Sequence, residues 1–265
     1  MPLRLEHRGD PIASVEDWFR YAPPRGGSLQ WRDGRSAKEL AKAWCGEGRP
    51  PAPPSDMLAL LASVPEFAAL TFEVGYPELR VPFDEVAGEP RNCDLAVVCS
   101  GLTGRIAVSV EGKVDESFGR AVGEEIMGAA AQWAFEERDG KLRRLQQLAS
   151  LILSRRRPGQ ARLGELRYQL LTAIAGAWAF ASQSQARTAV LIVHEFPTGD
   201  LGADRIEENG RDLDRIVDRI TRGEVRKVAP GHLVGPLPVP ESLSWVGVNK
   251  WYVGKCRTRL EVPGA

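Results

Sequence analysis

The sequence feature that most constrains the fold is a continuous apolar run, Ala189-Val190-Leu191-Ile192-Val193, which ends at His194. A strand with one solvated face alternates apolar and polar residues, whereas a strand covered on both faces reads as an unbroken apolar run. The run therefore predicts a central strand with helices on both sides of its sheet. A chain of 265 residues, 43% of them hydrophobic, is long enough to supply those layers.

Three shorter β-favouring segments precede that run. They lie at about Leu79 to Val86, Asp94 to Cys99 and Arg105 to Val114, and the links at 88–92 and 100–104 are turn-like. Consecutive strands with tight links form an antiparallel meander. With the later buried strand, the segments predict a mixed sheet and an α/β (α+β) fold.

Helical patterns surround these strands. Ser36-Ala37-Lys38-Glu39 has the capping-box spacing and predicts a helix from Ser36 to about Cys45. Apolar residues at helical spacing predict further helices at about Leu166 to Ser182 and Ile206 to Ile220. The stretch from Asp115 to Glu165 is helical by composition, and we interpret it as an insertion.

The predicted organisation is one domain in two parts. Residues 1–54 form a helical N-terminal extension. Residues 55–265 form the core, with the helical insertion at about 115–165 and strand and helix additions after the last core strand, including a Trp- and Val-rich tail from Leu243 to Val262.

Charge and composition exclude several classes of protein. Thirty-five basic residues balance thirty-five acidic ones, and no apolar run approaches the roughly 18 residues of a membrane span, so we expect a cytoplasmic chain with no membrane partner. The four cysteines have no metal-ligand or disulfide-framework spacing. The sequence also lacks the nucleophile elbow of serine hydrolases, the phosphate loop of ATPases and the dinucleotide fingerprint.

Basic residues are nevertheless concentrated between Lys141 and Arg167, where eight cations face one acid, Glu165. Such a run is either a solvated helix face with a basic loop or a surface that contacts the phosphate backbone of nucleic acid. The candidates for phosphate contact are Arg143, Arg144, Arg155, Arg156 and Arg157.

The third predicted strand carries the candidate chemistry. Its period of two places Glu111, Lys113 and Asp115 on one face and its valines on the other. Carboxylate oxygens are natural ligands of Mg²⁺, and a lysine on the same strand face can orient water or meet developing negative charge. Asp115 is a candidate to extend this cluster.

Less specific interpretations stand beside this one. Glu111 and Lys113 also suit an ordinary solvent-facing ion pair at a strand end. A second acid-x-lysine match, Asp139-Gly140-Lys141, lies in a helical stretch without a preceding strand and is the poorer candidate. His194 is interpreted as a hydrogen-bonded structural residue rather than a catalytic one.

The order helix, three-strand meander, helix, strand, with Asp94 opening the second strand and Glu111-Gly112-Lys113 ending the third, resembles the PD-(D/E)XK nuclease superfamily. The resemblance covers roughly residues 55 to 196 and implies the restriction-endonuclease-like α-β-β-β-α-β core. Three segments also look like those of an uncharacterised bacterial branch of that superfamily: Val-Glu-Gly-Lys-Val, Arg-Tyr-Gln-Leu-Leu and Val-His-Glu-Phe.

The resemblance implies roles for particular residues. Asp94 and Glu111 would hold one or two Mg²⁺ (or Mn²⁺) ions, and Lys113 would orient or activate water. Gln169 would be the polar residue of the following helix. A glutamate from the region of the first core helix would complete the site, and Glu78 is preferred over Glu66 and Glu73.

Two departures from the family pattern bear on this transfer. Asn92-Cys93 stands where the motif has proline before the aspartate. The insertion at 115–165 separates the strand that carries Glu111 from the helix that carries Gln169.

Two functions of different classes follow. The first is a Mg²⁺-dependent nuclease that hydrolyses phosphodiester bonds, with DNA preferred to RNA. The second is a catalytically silent domain of the same fold that binds protein or nucleic acid, because a fold alone does not decide activity. Both allow a homodimer.

Overall fold

A computed structural model describes residues 2–46, 48–86, 89–197, 199–242 and 245–259. Its strands are β1 (Arg4–His7), β2 (Asp10–Ile12), β3 (Thr71–Val81), β4 (Arg91–Gly101), β5 (Gly104–Lys113), β6 (Thr188–Glu195), β7 (Leu233–Pro238) and β8 (Lys250–Arg257). Its α-helices are α1 (Val15–Tyr21), α2 (Ser36–Cys45), α3 (Ser55–Ala62), α4 (Val122–Glu136), α5 (Gly140–Ile152), α6 (Tyr168–Gln183) and α7 (Gly199–Ile220).

The strands form a single mixed sheet in the order β2-β1-β3-β4-β5-β6-β8-β7. β3, β4 and β5 pair antiparallel, as the meander prediction requires, and β6 then pairs parallel with β5. The connection from β5 to β6 contains α4, α5 and α6, because a parallel pairing needs a long crossover. The predicted α/β fold is confirmed.

Helices cover both faces of the sheet. One apolar core lies under α6 and includes buried residues of α4, α5 and α7, and the other lies under α1, α2 and α3. Every residue of α6 from Leu170 to Ala181 is buried, since this helix lies between the sheet and α5. Its many alanines and Gly176 permit that close approach. β6 is buried along its whole length, as its apolar run predicted.

The N-terminal extension predicted to be helical at 1–54 contains two strands as well as helices. β1 and β2 form a short hairpin that extends the main sheet beyond β3, followed by α1 and α2. The signal was weak because β1 and β2 have only four and three residues. The chain therefore adds strands to the core sheet before the core itself begins.

Helix α2 has its predicted bounds but lacks the predicted cap. Arg35 is the N-cap residue, and no side chain caps the helix there. Glu39 instead accepts the Gly34 N–H at 2.7 Å and the Lys42 ammonium at 3.1 Å.

Other boundaries moved by several residues. β3 begins eight residues before its predicted start and ends five before its predicted end. β4 begins at Arg91, so Asp94 lies inside the strand rather than at its opening. α7 begins at Gly199, seven residues before its predicted start.

The tail predicted from Leu243 to Val262 contributes β8, which lies inside the sheet between β6 and β7. The ends of that predicted tail, at 243–244 and 260–262, lie outside the described residues. Trp251 and Tyr252 are buried core residues. Among the described helices, none combines the length and apolar character that crossing a bilayer demands.

Candidate active site

The candidate site lies where three elements meet: the first half of β4, the last residues of β5 and the first turn of α6. β4 supplies Asp94, β5 supplies Glu111 and Lys113, and α6 supplies Gln169. Asp94 and Glu111 approach each other because β4 and β5 are antiparallel, with Leu95 opposite Val110. Although the insertion separates Gln169 from β5 in sequence, α6 returns to the sheet and brings its first turn to Glu111.

Glu111 is the centre of the site. Its side chain is only 4% exposed, and Lys113, at 5%, donates from Nζ to Glu111 Oε1 at 2.9 Å. Gln169 Nε2 donates to the same oxygen at 2.5 Å. Glu111 Oε2 accepts from the Arg91 guanidinium. The expectation of an ordinary solvent-facing ion pair is therefore wrong, since Glu111 and Lys113 are buried and joined to two further side chains.

Arg91 is the residue that the sequence analysis missed, because it was assigned to a turn. It opens β4, and its side chain lies against Gly176 of α6. A β-carbon at position 176 would stand 2.7 Å from Arg91 Cγ, so the glycine provides the space through which Arg91 reaches Glu111. The sequence signal was a cation three residues before Asp94 in a β-favouring segment.

Asp94 is held by the backbone of β5. Its Oδ2 accepts the Gly112 N–H at 2.9 Å. Gly112 faces the first residue of α2, because a β-carbon there would lie 3.5 Å from Ser36 Cβ and 3.6 Å from Asp94 Oδ2. Asp94 is partly exposed, so this side of the cluster reaches solvent.

The three glutamates considered for the site lie in different places. Glu78 accepts from Asn92 Nδ2 at 2.6 Å and lies close enough to Glu111 for their charges to interact. Glu66 accepts from Lys250 and Tyr252, each at 2.5 Å, and Glu73 accepts from Ser100. Of the three, Glu78 is the one that joins the cluster.

The backbone at Glu78 is also unusual, since its φ is +51°. A non-glycine residue in the left-handed region costs roughly 1 kcal/mol and is found more often at functional sites than elsewhere.

The cluster contains three carboxyl groups, Glu78, Asp94 and Glu111, but only two cations, Arg91 and Lys113. Burial alone would raise the pKa of Glu111, but Arg91 and Lys113 hold it below its usual value. Burial and the charges of Glu111 and Glu78 raise the pKa of Asp94 well above its usual value.

Burial likewise raises the pKa of Glu78 to about 7, and the charge of Glu111 adds to this effect. The cluster thus lacks one positive charge for full ionisation, and the raised pKa values of Asp94 and Glu78 follow from burial together with that deficit.

Asp115 does not extend the cluster. β5 ends at Lys113, and the exposed Asp115 pairs with Arg35 at 3.0 Å. The alternation of side chains along β5 does not extend to Asp115, because the strand ends at Lys113 and the chain turns there.

The five candidate phosphate contacts do not form one surface. Arg144 is buried and makes a bidentate pair with Asp84 at 2.6 and 2.9 Å, so it is structural and the prediction for it was wrong. Arg143 is exposed beside Asp139 near the start of α5. Arg155, Arg156 and Arg157 are exposed in the loop after the end of α5, so they do not continue the helix face that carries Arg143.

His194 lies opposite Gly112 in the neighbouring strand β6, so its side chain is on the other face of the sheet from those of Glu111 and Lys113. It is fully buried, and its Nε2 lies 2.9 Å from Thr258 Oγ1. The predicted hydrogen bond of His194 is present.

The oxygen donors of Asp94 and Glu111 fit a hard cation such as Mg²⁺, which binds proteins through one or two carboxylates plus waters and substrate phosphate. The missing positive charge fits it as well. In the described part of the chain, no group of three or more His, Cys, Asp and Glu side chains is arranged to hold a metal ion. A metal ion would therefore compete with Arg91 for Glu111 and would keep part of its water shell.

Comparison with known proteins gives a family but no activity. No curated protein and no solved structure significantly matches the chain. A family model described as "Domain of unknown function (DUF6946)" matches residues 11–247, which is most of the sequence. The chain therefore belongs to the DUF6946 family.

Proposed function

We propose that this chain is a Mg²⁺-dependent nuclease that hydrolyses phosphodiester bonds, with DNA preferred to RNA. The observation that carries the proposal is the convergence of Lys113 and Gln169 on Glu111, next to Asp94, at the end of the meander. The sequence resemblance to the PD-(D/E)XK superfamily supports it, since these are the positions at which that superfamily places its acids, lysine and glutamine.

In this proposal, Asp94 and Glu111 are the metal ligands. A bound Mg²⁺ would supply Lewis-acid chemistry, polarising a phosphoryl oxygen and lowering the pKa of water. Mn²⁺ has the same ligand preference and can substitute. Gln169 holds the Glu111 carboxylate in orientation through its amide, and the Gly112 N–H does the same for Asp94.

Lys113 acts as the positioning cation. Its pKa is raised because the charges of Glu111 and Asp94 outweigh the effect of burial, so the ammonium stays protonated at neutral pH. A protonated lysine stabilises developing negative charge and orients water by donation; it does not remove a proton. The buried ammonium also lies 5.1 Å from the centre of the Phe118 ring, which further limits its movement.

The site edge offers helix N-termini to an anionic substrate. α6 begins at Tyr168, next to Gln169, and α2 begins at Ser36, beside Gly112. At α6 the Tyr168 and Leu170 N–H groups already donate to Arg120 O and Arg167 O, so there the helix dipole is what favours a phosphate. This arrangement suits a phosphodiester substrate.

The test is calorimetric titration of the full chain with Mn²⁺ and Mg²⁺, followed by cleavage assays on single- and double-stranded DNA and RNA. Asp94→Asn and Glu111→Gln are expected to lose metal binding, and Lys113→Ala is expected to lose cleavage while it keeps the metal. The other acid-x-lysine pair provides the matched control, since the double variant Asp139→Asn with Lys141→Ala should keep both metal binding and cleavage.

A catalytically silent binding domain is the second candidate, and one observation favours it. Both oxygens of Glu111 already accept from side chains, so Arg91 takes the place that a metal ion would need. If the folded wild type binds no metal at millimolar concentration whereas Arg91→Ala does, the ion pair closes the site and the nuclease proposal fails.

A further inference from the structure

A cleft of about 510 Å³ lies between the loop that follows α5 and the C-terminal half of α7. Side chains fix this loop to the helix. Arg219, buried in α7, donates to Ala161 O at 2.7 Å and to Ser154 O at 3.0 Å. Gln160, also buried, donates to Asp218 O at 2.7 Å. The cleft is therefore a defined part of the fold.

The residues that line the cleft carry a net positive charge, although the formal net charge of the whole chain is zero. Five arginines line it, against two aspartates: Arg157, Arg211, Arg215, Arg222 and Arg226 face Asp214 and Asp218. One of the aspartates is already used structurally, because Asp214 Oδ1 accepts the Val228 N–H at 2.7 Å. Among the lining residues alone, arginines outnumber aspartates by three, and those arginines that lack an acidic partner can bind an anionic ligand.

Several of these arginines are free to bind a ligand. Arg211 and Arg215 pair with acids on α7, at 2.7 Å from Glu207 and 3.1 Å from Asp212. By contrast, Arg222 and Arg226 form no ion pair with any residue that the structure describes. Arg157 uses one nitrogen to donate to Arg222 O at 2.6 Å and keeps its other donors.

The lining indicates the class of ligand. Guanidinium groups match phosphate oxygens in a bidentate manner. The lining residues include no aromatic side chain on which a base could stack. Phosphate groups of a nucleic-acid backbone, read without regard to base sequence, fit this chemistry.

The helix that lines the cleft, α7, also contacts elements of the candidate active site. Within α7, Asn209 Nδ2 donates to Glu116 O at 2.8 Å, just beyond Lys113, and Asp212 accepts from Arg167 at the start of α6 at 2.7 Å. From Asn209 to Arg215, α7 rises about 9 Å. The cleft therefore lies further along the same helix, with Arg222 and Arg226 just beyond its C-terminal end at Ile220.

We propose that this cleft binds backbone phosphates of a DNA strand that extends from the candidate active site. The proposal rests on the proposed nuclease function for its choice of DNA and deepens it by naming where the substrate strand runs. Arg157, Arg222 and Arg226 are the principal phosphate contacts, and they act without base specificity.

The test is fluorescence anisotropy of the full chain with a labelled single-stranded oligonucleotide and its duplex, in EDTA so that no cleavage occurs. Neutralising three contacts by substituting Arg157, Arg222 and Arg226 with Gln should weaken binding about 10- to 100-fold at 0.1 M salt. The slope of log affinity against log salt should fall by about 2, since each single-strand phosphate contact contributes about 0.7.

The matched control neutralises three exposed arginines elsewhere, Arg8, Arg20 and Arg138, and should keep wild-type affinity within about twofold. Circular dichroism and thermal unfolding verify that both triple variants are folded. Wild-type affinity and salt slope in the cleft variant would overturn the proposal, as would an equal loss in the control.

The outcome is distinguishable from that of the nuclease proposal. If Asp94→Asn and wild type are equally unable to bind metal, but the cleft variant loses DNA, the nuclease proposal fails and the cleft stands. If metal binding and cleavage are intact but the cleft variant binds DNA as wild type does, the cleft proposal alone fails. The cleft proposal would also be overturned if the wild type bound anionic lipid vesicles but no DNA, and the cleft variant lost the vesicle binding.

Discussion

Replacing His194 tests how the stability of the folded chain depends on pH. Thr258 donates its hydroxyl hydrogen to Asp56 at 3.1 Å, so it accepts from His194 Nε2, which carries the proton. His194 Nδ1 has no partner among the described residues. A second proton there would place an unsatisfied charged donor in the core, next to the Phe196 ring at 4.2 Å.

Burial accordingly lowers the pKa of His194 from its usual 6.5 to about 3. In the unfolded chain the ring takes up a proton below pH 6.5, whereas in the folded chain it stays neutral until about pH 3. The folded state is therefore favoured fully above pH 6.5 and progressively less as the pH falls towards 3. Linkage gives a loss of about 2 kcal/mol between pH 7.5 and pH 5 from this residue alone.

The assay is urea unfolding of wild type and His194→Gln at pH 7.5 and pH 5. Gln keeps a donor near the position of Nε2 but does not titrate, so the variant should be less stable at pH 7.5 and lose about 2 kcal/mol less on acidification. His232→Gln, at an exposed position, should show the wild-type pH dependence. An unchanged pH dependence in His194→Gln would refute the reasoning.

Three further substitutions test the packing of the site and of α5. Arg91→Met leaves Glu111 buried with one cation fewer, so we expect a loss of about 3 kcal/mol of unfolding free energy, measured in urea. Gly176→Ala puts a methyl group 2.7 Å from Arg91 Cγ, and we expect a loss of about 1–3 kcal/mol, with a crystal structure showing Arg91 displaced. Arg144→Ala removes the bidentate partner of the partly buried Asp84 and should lower the free energy of unfolding by about 2–4 kcal/mol in the same assay. A loss as small as that caused by replacing an exposed arginine would contradict the structural role of Arg144.

The ion pair between Arg91 and Glu111 connects stability with the proposed chemistry. A cluster with more carboxyl groups than cations is less stable than a fully paired one, because burial penalises each uncompensated charge. A divalent cation would supply the missing charge, so metal binding is expected to raise the melting temperature of the wild type and leave that of Asp94→Asn unchanged.

Local patterns in the sequence determined much of the fold. The apolar run of β6 predicted a strand buried on both faces, and the short links predicted the meander, because side-chain periodicity and turn residues act within a few positions of the chain. The position of Glu111 and Lys113 on one strand face followed from the same periodicity.

Only the tertiary structure decided which residues meet at Glu111. Arg91 reaches it across β4 and past Gly176, and Gln169 reaches it from a helix that begins more than fifty residues later. Their contacts depend on strand register and helix packing, which no local pattern encodes. The same holds for the arginine cleft, since a loop after α5 and the end of α7 become neighbours only when Arg219 and Gln160 join them. The sequence thus specified the strands and the acids, while packing selected their partners, because burial and ion pairing depend on distances that only the folded chain establishes.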